Sequence, residues 1–209
     1  MPVEVQLSIQ GLAGTLDARH IDQGKEGMIM CHPHPLFDGT MDNKVVTTTL
    51  KTAMSLGLST LRFNFRGVGE SGGEHDHGKG EVEDVLTVIQ YAKEVLGWSR
   101  VLLGGFSFGA GMACLASCQI PEEIAALYLM APAVHHFDAP NRLPYEFETY
   151  VYMGDADEVV PFDEVEHWVN VVTPPPHWSV FEDGGHFFHG RLVDLKADLK
   201  RDMNAFKVG

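Results

Sequence analysis

Residues 101–114 read VLLGGFSFGAGMAC, and how this stretch is read decides the fold. Apolar Val101, Leu102 and Leu103 lead into Gly105-Phe106-Ser107-Phe108-Gly109, and small residues follow from Ala110 onward. This is G-x-S-x-G placed where a strand turns sharply into a helix, an arrangement that lifts a serine hydroxyl off a strand end. Glycines two before and two after the serine permit that turn because neither carries a Cβ. The bare pattern is weak, because the chain has 22 glycines and holds a second match at Gly69-Glu70-Ser71-Gly72-Gly73. Ser71 is followed by Gly-Gly-Glu-His-Asp-His-Gly, which cannot hold a stable helix. Context therefore selects Ser107 as the reactive serine and leaves Ser71 a turn residue.

On either side of that stretch, short apolar runs alternate with amphipathic segments. The first 25 residues alternate weakly, as in Val3-Val5-Leu7-Ile9, and read as an antiparallel hairpin. Strands are expected at 27–31, 60–65, 101–106, 126–130, 148–153 and 177–182. Helices are expected at 43–56, 81–96, 110–118, 161–171 and 191–206. In the second of these, Val82, Val85, Leu86, Ile89, Ala92 and Leu96 share one face. Such alternation implies an α/β fold, a mostly parallel sheet of about eight strands with helices on both faces. In such sheets ligand sites gather at the carboxyl ends of the strands.

At 209 residues the chain reads as one domain, 1–209, without repeats or linkers. A formal net charge of -14 argues against nucleic acid or an anionic membrane surface as partner. No apolar run approaches the roughly 20 residues of a membrane helix, and MPVEVQLSIQG lacks the basic and apolar regions of a secretory signal. Three cysteines without C-x-x-C spacing, two of them four apart at Cys114 and Cys118, read as buried thiols of a reducing cytoplasm.

A serine needs a base to accept its proton, and a histidine base needs a carboxylate to orient it. The strand expected at 148–153 runs into Gly154-Asp155-Ala156-Asp157-Glu158-Val159-Val160-Pro161. The strand at 177–182 runs into Asp183-Gly184-Gly185-His186-Phe187-Phe188-His189. Each strand end thus delivers one required residue type, in the order Ser, Asp, His. With RFNFRGVGES, GFSFGAG, GDADEVV and HFFHG together, the chain resembles the α/β-hydrolase superfamily, in particular small lid-less bacterial carboxylesterase-like serine hydrolases.

That resemblance implies Ser107 as nucleophile, His186 as general base and then acid, and Asp157 as the orienting carboxylate, with Asp155 and His189 as rivals. It implies no cofactor and no metal. It also implies two backbone N–H donors for an oxyanion: that of Phe108, and one in Met30-Cys31-His32-Pro33-His34-Pro35-Leu36-Phe37-Asp38-Gly39. Proline has no N–H, so the second donor is His34 or Leu36, and alignment on the family's H-G-x pattern favours His34. No imidazole in this stretch has a required role on this reading. Only 17 residues, 131–147, separate two successive strands where relatives carry a cap, so no large cap is expected. Phe37, Phe108, Phe137 and Phe187 are the expected apolar walls. The implied reaction is hydrolysis of small-molecule esters with short to medium acyl chains; a thioesterase or acyltransferase would share every catalytic residue. Oligomeric state is left open.

Two other motifs compete. Gly67-Val68-Gly69-Glu70-Ser71-Gly72 fits the dinucleotide pattern G-x-G-x-x-G, but that pattern must open a helix, and polar or glycine residues intervene before any helix signal. His75-Asp76-His77 has no partner set at metal-ligand spacing. Arg66 reads as a brace for its loop.

Overall fold

The computed structural model describes residues 2–208, with side chains described as far as residue 205. The N-terminal hairpin pairs β1 (Glu4–Gln10) with β2 (Thr15–Ile21) in antiparallel register, Leu7 opposite Ala18. Strands β3 (Glu26–Cys31), β4 (Ser59–Phe63), β5 (Arg100–Phe106), β6 (Ile124–Met130), β7 (Glu148–Gly154) and β8 (His177–Phe181) run parallel. The sheet order is β1-β2-β4-β3-β5-β6-β7-β8, and β2 meets β4 antiparallel. Helices α1 (Lys44–Ser55), α2 (Lys79–Glu94), α3 (Phe108–Ser117), α4 (Phe162–Val171) and α5 (Leu192–Val208) complete the alternation. α1 packs beside α5, and α2 beside α3.

Helices cover the sheet on both faces, so β3, β5, β6 and β7 are buried along nearly their whole lengths. This is why they read as continuous apolar runs rather than alternating ones. β1 lies at the sheet edge, and only the end of it near Ile9 is buried, which explains its weak alternation. β5 lies between β3 and β6, so the chain leaves it for α3 near the middle of the sheet.

Most boundaries shift by one or two residues from those the sequence suggests, and three of these shifts bear on the site. β4 ends at Phe63: the Asn64 N–H makes a last bond to β2, to the Asp17 carbonyl at 2.8 Å, but the Asp17 N–H turns to Ser71 Oγ at 2.9 Å and that of Phe65 to His32 Nε2 at 3.0 Å. α2 starts at Lys79, where the buried Glu81 carboxylate accepts the N–H groups of Asp76 and Gly78 at 2.9 and 2.8 Å. α3 starts at Phe108, directly after Ser107. Between β6 and β7 only a single turn of 3-10 helix forms, Val134–His136, so there is no large cap. Among the described residues no helix is long and apolar enough to cross a membrane.

Candidate active site

Ser107 sits at the carboxyl end of β5 with φ 56° and ψ -116°, a left-handed backbone uncommon outside glycine. Its surroundings fix that conformation. The Ser107 N–H donates to the Met130 carbonyl at 2.9 Å, and its own carbonyl accepts from Ala110 N–H at 3.0 Å. The flanking glycines are required by contact: a Cβ on Gly105 would stand 2.2 Å from the Gly109 carbonyl oxygen, and one on Gly109 2.3 Å from that of His32. The α3 N-terminus therefore approaches both its own strand and the loop after β3. Its free N–H groups and dipole suit a negative charge there.

His186 comes from the loop after β8 and is only 3% exposed. Its Nδ1 lies 2.8 Å from Asp157 Oδ2, in the loop after β7. The other carboxylate oxygen of Asp157 accepts the N–H groups of Val159 and Val160 at 2.8 and 2.7 Å. The Asp157 carboxylate is fully buried, and these three contacts account for its burial. The His186 ring packs on Phe106, 4.9 Å between centroids, and its backbone N–H donates to Glu158 at 3.1 Å. With Nδ1 engaged by the carboxylate, Nε2 is the nitrogen left for a substrate or nucleophile. Asp155 is exposed and makes no side-chain contact with His186. His189 is also exposed and lies against the Phe187 ring, outside the cavity at Ser107.

A cavity of about 510 Å³ brings Ser107 and His186 together with Pro33, His34, Phe37 and Phe187. A second space of about 60 Å³ also reaches Ser107, from the side of Phe108 and Val160. Phe37, Phe108 and Phe187 are thus walls, as their sequence positions suggest. Phe137 is not: half-buried, it packs against the core at α3, where its ring would collide with any Cβ on Gly111.

The loop after β3 is held by an imidazole that the sequence reading left without a role. His32 is fully buried; its Nε2 accepts the Phe65 N–H at 3.0 Å, so Nδ1 carries the proton and donates to the Pro33 carbonyl at 2.6 Å. Burial lowers its pKa to about 4. A folded-state pKa below the unfolded value near 6.5 means the unfolded chain binds the extra proton first. His32 therefore contributes stability fully present above about pH 6.5 and lost as pH falls toward 4, on the order of 3 kcal/mol in all. Urea denaturation at pH 7 and pH 4.5 should show this loss, and His32→Gln, which has no proton to gain there, should flatten it.

One turn further, His34 Nδ1 accepts the Leu36 N–H at 3.1 Å. That bond removes Leu36 as a free donor. Among the described residues, neither the His34 N–H nor the Phe108 N–H has a protein acceptor. Of the two amides the sequence left open, that of Leu36 is engaged and that of His34 is not.

The competing motifs have structural occupations. Ser71 is buried; its Oγ accepts the Asp17 N–H at 2.9 Å and donates to the Asn64 carbonyl at 2.8 Å. The Gly67–Gly72 segment closes on itself and on Thr15 rather than opening a helix. His75 lies beside the buried Glu81, and Asp76 accepts the Gly80 N–H at the start of α2. Arg66 binds Asp84 with Nη2 to Oδ1 at 2.8 Å, and its backbone N–H reaches the same carboxylate, a brace between this loop and α2. Cys31, Cys114 and Cys118 are free thiols.

Comparison with known proteins agrees with this architecture. A sequence model of the alpha/beta hydrolase fold matches residues 48–149. An alpha-beta serine hydrolase homologue from Coxiella burnetii is 40% identical, with 95% of this chain and 96% of that one aligned at a TM-score of 0.87. A lid-less α/β serine hydrolase from Xanthomonas campestris is 31% identical over 97% and 94% of the two chains, at a TM-score of 0.88. An uncharacterized protein of Rickettsia prowazekii is 31% identical, covering 91% of this chain and 84% of that one. The chain belongs to the alpha/beta hydrolase family, among its lid-less serine hydrolase homologues.

Proposed function

We propose that this protein hydrolyses carboxylic esters through an acyl-enzyme on Ser107, with His186 as base and acid and Asp157 as its orienting partner. The observation that carries this reading is the buried Asp157–His186 pair at 2.8 Å, whose imidazole faces the same cavity as the serine of a strained strand-to-helix turn. In the first half-reaction, Ser107 Oγ bonds to the ester carbonyl carbon as its proton passes to His186 Nε2. The carbon–alkoxy bond then breaks, and the same proton leaves with the alcohol. Water repeats the sequence on the acyl-enzyme, its proton moving by way of His186 back to Ser107 and its hydroxyl leaving in the acid. Asp157 stays ionised throughout and stabilises the imidazolium. The N–H groups of Phe108 and His34 receive the oxyanion.

A thioesterase or acyltransferase would use the same groups. The net charge of -14, and Asp38 at the cavity, disfavour a polyanionic thioester carrier and favour an uncharged ester. Three free cysteines fit a reducing cytoplasm. The test is a fluorophosphonate probe together with a chain-length panel of activated esters and thioesters. Stoichiometric labelling and faster turnover of the esters are expected; an unlabelled, inactive protein refutes the reading.

The second oxyanion donor has its own test. His34 has φ -55°, which proline also adopts. His34→Ala keeps the amide and should change kcat by less than about threefold, whereas His34→Pro removes the N–H and should lower kcat by about 100-fold or more. Equal losses in both variants would assign the effect to the imidazole instead.

A further inference from the structure

We infer that the site is divided about Ser107 by size, so that it accepts a short acyl group on one side and a bulky apolar alcohol on the other. This deepens the ester-hydrolase reading and rests on it. His34, Phe37, Ser107 and Val159 line both spaces and form the boundary between them. The larger one holds His186 and Phe187; the smaller holds Phe108, Val160 and the His135-His136 turn.

The chemistry assigns the two halves. The group that receives the proton from His186 is the leaving oxygen, so the alcohol must extend on the His186 side. The acyl carbon is bonded to Ser107 with its oxygen toward the N–H groups of Phe108 and His34. Its chain must then point away from His186, into the space bounded by Phe108. That space is about 60 Å³, against about 510 Å³ on the His186 side. Val160, buried in the loop that holds Asp157, bounds this space, so a short acyl chain is favoured over a long one. The alcohol side, at about 510 Å³, is within the usual size of a small-molecule site. Its apolar members include Pro33, Phe37 and Phe187, and Phe37 is 81% exposed at its rim. A flat aromatic alcohol can stack on that rim at little ordering cost.

The experiment uses an isomeric pair, naphthylmethyl acetate and methyl naphthylacetate, which have the same atoms with the ester reversed and two alkoxy leaving groups of similar basicity. The acetate should be hydrolysed with a kcat/KM at least about tenfold higher, the scale of discrimination by a few carbon atoms in an apolar pocket. Within naphthylmethyl esters, extending acetate to hexanoate should lower kcat/KM by a similar factor. His136→Ala opens the exposed end of the small space and should recover at least about fivefold of the loss on hexanoate. Equal rates for the two isomers, a preference for the reversed one, or undiminished turnover of hexanoate each overturn the division while leaving the hydrolase reading standing. If p-nitrophenyl acetate is hydrolysed and neither isomer is, the alcohol assignment fails. If fluorophosphonate labelling and turnover of every ester are both absent, the hydrolase reading fails and the division with it.

Discussion

Ser107→Ala should lower kcat for any ester this protein hydrolyses by about four to six orders of magnitude and abolish fluorophosphonate labelling. The size of the effect follows from the mechanism: without Oγ there is no acyl-enzyme, and only binding and the oxyanion donors remain to assist attack by water. Folding should survive. The Oγ makes no hydrogen bond to another protein group among the described residues, and the strained turn depends on the backbone contacts to Met130 and Ala110. Alanine is also smaller than serine in a tightly packed place. Labelling and turnover are measured alongside far-ultraviolet circular dichroism. Labelling that persists in a folded variant would remove Ser107 as nucleophile, and Ser71→Ala is the control. Ser71 ties Asp17 to Asn64, so its loss should reduce stability and leave labelling of the folded protein intact.

The second large effect belongs to Asp157. Asp157→Asn keeps the size of the side chain but presents an amide to an imidazole that needs an acceptor at Nδ1. The ring then takes the wrong tautomer, and kcat should fall by about 10⁴-fold. Asp155→Asn, two residues away on an exposed stretch, should stay within about twofold of the parent. The pair separates a catalytic effect from damage to the loop, because both residues lie between β7 and α4. A loss with Asp155→Asn as large as that with Asp157→Asn would refute the assignment. Denaturation curves are needed with the activities, because Asp157 also accepts two backbone N–H groups and its amide can accept them less well.

How much of this was legible in the sequence follows from the nature of each signal. The sheet and its helices were visible because period and composition are local properties: buried parallel strands must be apolar throughout, and covering helices must carry one apolar stripe. The elbow was visible because a turn too tight for a Cβ leaves glycines at fixed positions around Ser107. The strand ends carrying Asp157 and His186 could be picked out because a parallel sheet gathers its carboxyl ends along one edge.

The rest depends on contacts between residues distant in the chain. Asp155 and Asp157 are equivalent carboxylates in sequence; only the loop conformation puts one at His186 Nδ1 and the other in solvent. His32 and His34 look alike on the page, yet one is a buried neutral clamp reaching Phe65, thirty-three residues on, and the other caps its own turn. That capping bond is what leaves the His34 amide as the free donor rather than that of Leu36. Phe137 and Phe187 are both plausible walls by position, and packing sets the first against the core at Gly111. The sequence alone determined the fold class and the residue types at the three strand ends, because backbone geometry and solvent exposure restrict them locally. Only the tertiary structure decided which carboxylate meets His186, which of two amides stays unengaged and which aromatic rings line the cavity at Ser107, because those choices depend on distances that no local rule encodes.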